Sequence, residues 1–188
     1  PDDREQLRHA LSEAAAVSDA ILTSGGVSVG EADFIKEILA ELGAVAFWKL
    51  AIKPGRPLTF GALGNSLFFG LPGNPVAAMV TFLQFVQPAL DKLSGATPQP
   101  PLRLRARCRD HLRKRPGRRE FQRAILTQDD SGRLEVALTG RQGSGVLTSM
   151  SLANCLIVLT EEQESIDPGT EVGVELLPWA RIATAPSS

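Results

Sequence analysis

The sequence predicts an α/β fold: a three-layer, partly parallel sheet domain over residues 1–97, then a small all-β barrel or sandwich over residues 98–188. Three observations carry that expectation. A helical pattern, a short apolar strand, a glycine-rich loop and a second helical pattern follow one another, the order that builds parallel sheets. The run ATPQPP (96–101) reads as a linker. Beyond it the hydrophobic period changes from helical to that of a strand, with Leu102, Leu104, Ala106 and Cys108 alternating with Arg103, Arg105, Arg107 and Arg109.

In chain order, Asp3 with Gln6, or Asp2 with Glu5, predicts the cap of a first helix whose apolar face is Leu7, Ala10, Leu11, Ala14 and Ala15. It ends near Val17. A short buried strand, Ala20 to Thr23, then runs into Ser24-Gly25-Gly26 and a polar turn reaching Gly30. Asp33 reads as the N-cap of a second helix lined by Phe34, Ile35, Ile38, Leu39 and Leu42, with Gly43 at its C′ position. Ala44 to Leu50 is an extended apolar run, and Ile52 to Pro57 a turn-rich connector. Strands at Leu58–Phe60 and Ser66–Phe69 form a hairpin. In Leu71-Pro72-Gly73-Asn74-Pro75, Asn74 caps and Pro75 opens a helix running through Val80, Val86 and Leu90, with a kink or break expected at Pro88. The second domain has a basic hairpin tip, Arg113 to Arg119, and strands at 121–126, 134–138, 155–159 and 172–176.

Composition narrows the function. The formal net charge is -1, which gives no whole-chain argument for nucleic acid or a membrane surface. The arginines from Arg103 to Arg123 make a phosphate track conceivable, but no aromatic is interleaved on that face, and a solvated outer face explains the pattern equally well. Neither a nucleic-acid nor a membrane partner is expected. Cys108 and Cys155 form neither a disulfide scaffold nor a metal knuckle, so a reducing, cytoplasmic setting is expected. His9 and His111 lack ligand spacing. The Gly-x-Ser-x-Gly elbow and the Gly-x-x-x-x-Gly-Lys-Ser/Thr loop are both absent, which argues against a serine hydrolase and an ordinary ATPase. The start at Pro1 suggests a fragment.

The loops Ser24–Gly30 and Leu71–Pro75 both follow strand C-termini and both open helices, so side by side they would form one anion-binding crevice. Asp33 is either a cap alone or also a Mg²⁺ ligand, and Glu31 shares both readings. Lys49, Lys53 and Arg56 either snorkel outward or form a positive cluster for an oxyanion. Spaced by four in an extended chain, Lys49 and Lys53 would share a face.

TSGGVSVGEADF (23–34), FWKLAIKPGRPLTFG (47–61) and GLPGNPVAA (70–78) resemble the MoeA family of molybdenum cofactor biosynthesis, related to the E domain of gephyrin. The resemblance extends through Gly143-Ser144-Gly145 and Ser151 to Cys155. It implies a transferase that inserts molybdate into adenylylated molybdopterin and releases AMP, with Mg²⁺ required. Ser24, Gly25, Gly26, Ser28, Pro72, Gly73, Asn74 and Pro75 would then bind the pterin phosphate. Asp33 would hold Mg²⁺ or a nucleotide phosphate, with Asp2 as a second acidic group. Lys49, Lys53 and Arg56 would hold molybdate or phosphates, Asp33, Lys49 and Lys53 would be catalytic, and Ser144 would contribute from the β domain. A homodimer of the complete protein and contact with the molybdopterin adenylyltransferase are also implied. The paralogous adenylyltransferases share Ser-Gly-Gly and Pro-Gly-Asn-Pro and give the alternative reading, a nucleotide- or pterin-binding protein. Phe-Trp-Lys and the trailing β domain match the insertion enzyme better. Complete members carry further domains and a Thr-Gly-Asp-Glu strand ahead of this point, so an incomplete sheet domain, inactive alone, is expected.

Overall fold

The computed structural model describes residues 3–25, 32–97, 99–143 and 145–184, apart from the side chains of residues 32–36 and 183–184. The chain divides into two compact units, Pro1–Leu50 with Gly55–Pro98, and Ala51–Pro54 with Gln99–Ser188.

In the first unit Asp3 caps α1 (Arg4–Val17), accepting from the backbone N–H of Glu5 at 2.9 Å and of Gln6 at 3.2 Å. The chain continues through β1 (Ala20–Ser24), α2 (Ala32–Leu42) and β2 (Gly43–Lys49). After β3 (Ile52–Lys53), which belongs to the second unit, come β4 (Pro57–Leu63) and β5 (Ser66–Leu71). A helical run closes the unit: α3 (Pro75–Thr81), a π segment (Phe82–Val86) and α4 (Gln87–Leu93). The sheet order is β1-β5-β4-β2. β1 lies parallel to β5, and β4 is antiparallel to both β5 and β2. Hence β1, β5 and β2 all point their C-terminal ends the same way. One sheet face packs Ile21, Leu63 and Phe68 against Leu11 of α1 and Ile38 and Leu39 of α2. The other packs Leu58, Phe69 and Leu71 against Val86 and its helical neighbours. These are the three layers that the hydrophobic periods predict.

Four local expectations are corrected. β1 is an edge strand among the described residues: Ile21 is buried but Leu22 is 41% exposed, so it is not a buried strand. α2 begins at Ala32, which places Asp33 inside the first turn and not at the cap. Gly43 starts β2 without a positive φ, and a Cβ there would lie 2.1 Å from the Ala62 carbonyl oxygen. It serves close strand approach, where a helix C′ glycine was expected. Pro88 does not break the helical run. The turn before it widens so that the Gln87 N–H bonds the Phe82 carbonyl five residues back, which relieves the clash and the missing donor of an internal proline.

The second unit comprises β6 (Arg103–Cys108), β7 (Arg119–Gln128), β8 (Leu134–Leu138), α5 (Leu147–Ser151), β9 (Cys155–Leu159), β10 (Glu171–Leu176) and β11 (Ala183–Thr184). Pairing runs β7-β8-β6-β10-β9 and returns to β7, closing a five-stranded barrel. β3 and β11 add parallel pairings to β7. Inside lie Cys108, Leu126, Val136, Cys155, Ile157 and Val174, among others. The arginine row of β6 faces acidic neighbours: Arg103 pairs with Glu175 at 2.9 Å, and Arg107 stands in register with Glu171 and Glu135. Lys114 of the basic tip is itself buried, its ammonium donating to the carbonyls of Gln163 at 2.9 Å and Arg115 at 3.3 Å. Among the described residues no helix is long and apolar enough to cross a membrane.

Candidate functional site

Parallel pairing of β1 with β5 brings two strand ends together, Ser24 opposite Leu71. The Gly25 N–H donates to the Leu71 carbonyl at 3.2 Å, extending the pairing one step into the loops. Gly25 has φ +89°, and a Cβ on Gly73 would lie 3.3 Å from the Gly25 Cα. The two loops therefore run backbone against backbone, an approach that side chains would obstruct. Pro72 is buried, while Ser24 and Gly73 are exposed. Asn74, with extended backbone, accepts from the Ala77 N–H at 3.4 Å, and Pro75 occupies the start of α3. The result is a polar, backbone-lined crest at the carboxyl edge of the sheet, chemistry suited to an anion.

Lys49 and Arg56 stand at the same edge. Lys49 ends β2 in register with Pro57, and Leu50 N–H donates to the Arg56 carbonyl at 2.7 Å. Both side chains are exposed, and neither makes an ion pair among the described residues. Three strand spacings separate β2 from β1, so Lys49 and Gly25 are roughly 14 Å apart along the edge. That separation suits an elongated ligand touched at both ends.

Lys53 is placed differently. β2 stops at Lys49, and Lys53 lies on β3 in the second unit, so the two lysines do not share one strand face. Its ammonium sits 3.2 Å from each carboxylate oxygen of Glu120. Asp33 is placed in the first turn of α2, with its side chain outside the description. Asp2, Gly26, Ser28, Glu31 and Ser144 lie outside the described residues. Among the described residues no group of three or more His, Cys, Asp or Glu is arranged to hold a metal ion.

Three residues that sequence reasoning passed over are organised around β7. Arg123, 1% exposed, donates from Nε to Ser149 Oγ at 3.0 Å and from a terminal nitrogen to the Gly143 carbonyl at 3.0 Å. Burial lowers its pKa from the ordinary guanidinium value. Gln142 completes the clamp, accepting from the Arg123 backbone N–H at 2.8 Å and donating to the Arg123 carbonyl at 3.0 Å. The segment around Gly143 is thereby stapled to the barrel wall. A signal was present: Phe121 and Ile125 share Arg123's side of the strand, an apolar company implying that something covers it. Glu120, the third, holds Lys53. Asn154, by contrast, is structural, bonding both the N–H and the carbonyl of Leu126 at 2.7 and 2.9 Å.

Residues 1–92 match the family model described as "Probable molybdopterin binding domain", and residues 105–177 match "MoeA C-terminal region (domain IV)". The chain belongs to the MoeA family. Among its relatives is a molybdopterin molybdenumtransferase of Haemophilus influenzae, 44% identical over 93% of this chain and 44% of that protein. Gephyrin of Dictyostelium discoideum is 34% identical over 94% of this chain and 28% of its own length. A solved molybdenum cofactor biosynthesis protein from Pyrococcus furiosus superposes with a TM-score of 0.71 at 30% identity, covering 94% of this chain and 56% of that one. The chain thus spans less than half the length of these two sequence relatives. The MoeA assignment accounts for both units, since each matches its own part of the family.

Proposed function

We propose that this chain is the portion of a molybdopterin molybdenumtransferase that binds adenylylated molybdopterin and molybdate, for insertion of the metal and release of AMP in molybdenum cofactor biosynthesis. The observation that carries this reading is the Gly25–Gly73 contact at the same sheet edge as Lys49 and Arg56. Its length and polarity fit a ligand carrying phosphates and a pterin. In this reading Ser24, Gly25, Gly26, Ser28, Gly73 and Asn74 bind the pterin phosphate, and Pro72 and Pro75, which carry no N–H, stiffen the loop that presents it. Lys49, Lys53 and Arg56 take up negative charge, and Ser144 adds a hydroxyl. Asp33 and Asp2 offer carboxylate oxygens, a donor type that fits Mg²⁺, which when bound would neutralise phosphate charge. A homodimer of the complete protein, contact with the molybdopterin adenylyltransferase and a cytoplasmic location complete the proposal.

Trp48, adjacent to Lys49 and 56% exposed, supplies a reporter. Adenylylated molybdopterin should change its fluorescence saturably, and Gly73→Asp, which places a negative charge on the crest, should abolish the effect. A wild-type chain showing no saturable response, with calorimetry also silent, would overturn the reading.

A further inference from the structure

Glu120 is a carboxylate where barrel alternation calls for an apolar side chain. The inward row of β7 reads Glu120, Gln122, Ala124 and Leu126, and the last two lie in the barrel core with Ile157 and Leu159. Glu120 is 3% exposed and stands in register with Leu159, while Gln122 stands opposite Ile157. Sealing a carboxylate into such a row is unfavourable unless a charge and hydrogen bonds compensate it. Both are supplied. Lys53 Nζ lies 3.2 Å from each oxygen, and Gln122 Nε2 donates to Oε2 at 3.2 Å. Lys53 is delivered by β3, a two-residue strand that pairs parallel with β7 (Ile52 with Arg119, Lys53 with Glu120). A further bond, from the Arg119 N–H to the Ala51 carbonyl at 2.9 Å, secures the strand.

The pair is asymmetric. The carboxylate is sealed, whereas the lysine side chain is 50% exposed. Buried ion pairs contribute little stability over apolar residues of similar volume, so a carboxylate at this position is better explained by what it does to its partner. We propose that Glu120 is a positioning residue for Lys53. Its carboxylate, oriented by Gln122, holds one side of the ammonium and directs the remaining N–H bonds to solvent, where they meet a tetrahedral oxyanion. This inference rests on the oxyanion-binding role proposed above for Lys53. Lys49 and Arg56, which have no such carboxylate tether among the described residues, supply charge without fixed direction.

The test uses this chain labelled at its lysine side chains, with the mobility of the Lys53 ammonium read by NMR and Lys49 as internal reference. In the wild type the Lys53 order parameter should exceed that of Lys49 about two-fold, and Glu120→Gln should bring the two together. Glu120→Asp, which retains the charge, should restore most of the difference. Equilibrium dialysis then compares molybdate with inorganic phosphate. Glu120→Gln should weaken the preferred anion about ten-fold and the other less, which identifies the source of the oxyanion. Unchanged Lys53 mobility in Glu120→Gln would overturn the positioning role whatever the anion data show. A mobilised Lys53 with undiminished binding of both anions would overturn the oxyanion role while leaving the tether. Should Glu120→Gln fail to fold, Gln122→Ala, which removes the bond that orients the carboxylate, must raise Lys53 mobility and weaken the preferred anion, and wild-type values for both would sink the proposal.

Discussion

Gly73 illustrates how one missing side chain can shape a binding edge. Its backbone φ is not in the left-handed region, so an alanine would be unstrained by itself, yet its Cβ would press on the Gly25 Cα at 3.3 Å. Gly73→Ala should cost roughly 1 kcal/mol in urea denaturation through this local crowding, and should weaken AMP binding more than that loss explains. A variant binding AMP as tightly as the wild type would show that the two loops can part freely. Cys155 carries a different single-residue consequence. Burial raises its thiol pKa to about 12, whereas an unfolded cysteine titrates near ~8.5. The folded state then holds a proton that the unfolded state has lost, so the contribution is complete below about pH 8.5 and declines as pH rises towards the folded value. Urea midpoints from pH 8 to 11 should fall, and fall less in Cys155→Ala.

The helical run after β5 shows what cap, proline and π segment do together. Asn74 supplies an acceptor to the first turn, and Asn74→Ala should destabilise by about 1 kcal/mol, with Asn74→Asp near neutral. Thermal melts of the two variants check this, and an equal loss in both would assign the effect to packing. The sequence marked the start of this helix firmly because Asn-Pro is a capping pattern of purely local origin. It marked the middle poorly. Pro88 forbids a regular turn, but whether the chain answers with a kink, a break or a widened turn depends on Val86, which is buried against Leu58 and Leu71 of the sheet. Continuing across that face with one wide turn keeps the contact.

At the scale of the molecule, residues 51–54 matter most. They interrupt the first unit in sequence and belong to the second in structure. Lys53→Gln leaves Glu120 sealed without its counter-charge. It should cost about 1–2 kcal/mol, less than a fully buried pair because the lysine is half exposed. Hydrogen exchange should locate the loss in β7 and β9, with β1 and β5 unchanged, although Lys53 lies early in the chain. Faster exchange in β5 instead would place this segment energetically with the α/β unit.

Sequence alone determined the order of an α/β domain followed by an all-β one, the helix cap at Asn74, the glycine loops and the family. The choice of a barrel over a sandwich, and of Asp3 over Asp2 as the first cap, came from the structure. The features read from sequence are written in local signals, in periods of apolar residues and in capping and turn residues whose meaning depends on a few neighbours. Tertiary structure decided the rest. Lys49 and Lys53, four residues apart and alike in sequence, differ because one ends an edge strand while the other is captured by a carboxylate 67 residues away. Arg123 keeps apolar company on its strand, which hints at a cover, but what covers it is settled only by its bonds to Gln142, Gly143 and Ser149. In each case the deciding contact joins distant parts of the chain. Burial and pairing, which set the character of a charged side chain, are properties of that contact and not of the local residue pattern.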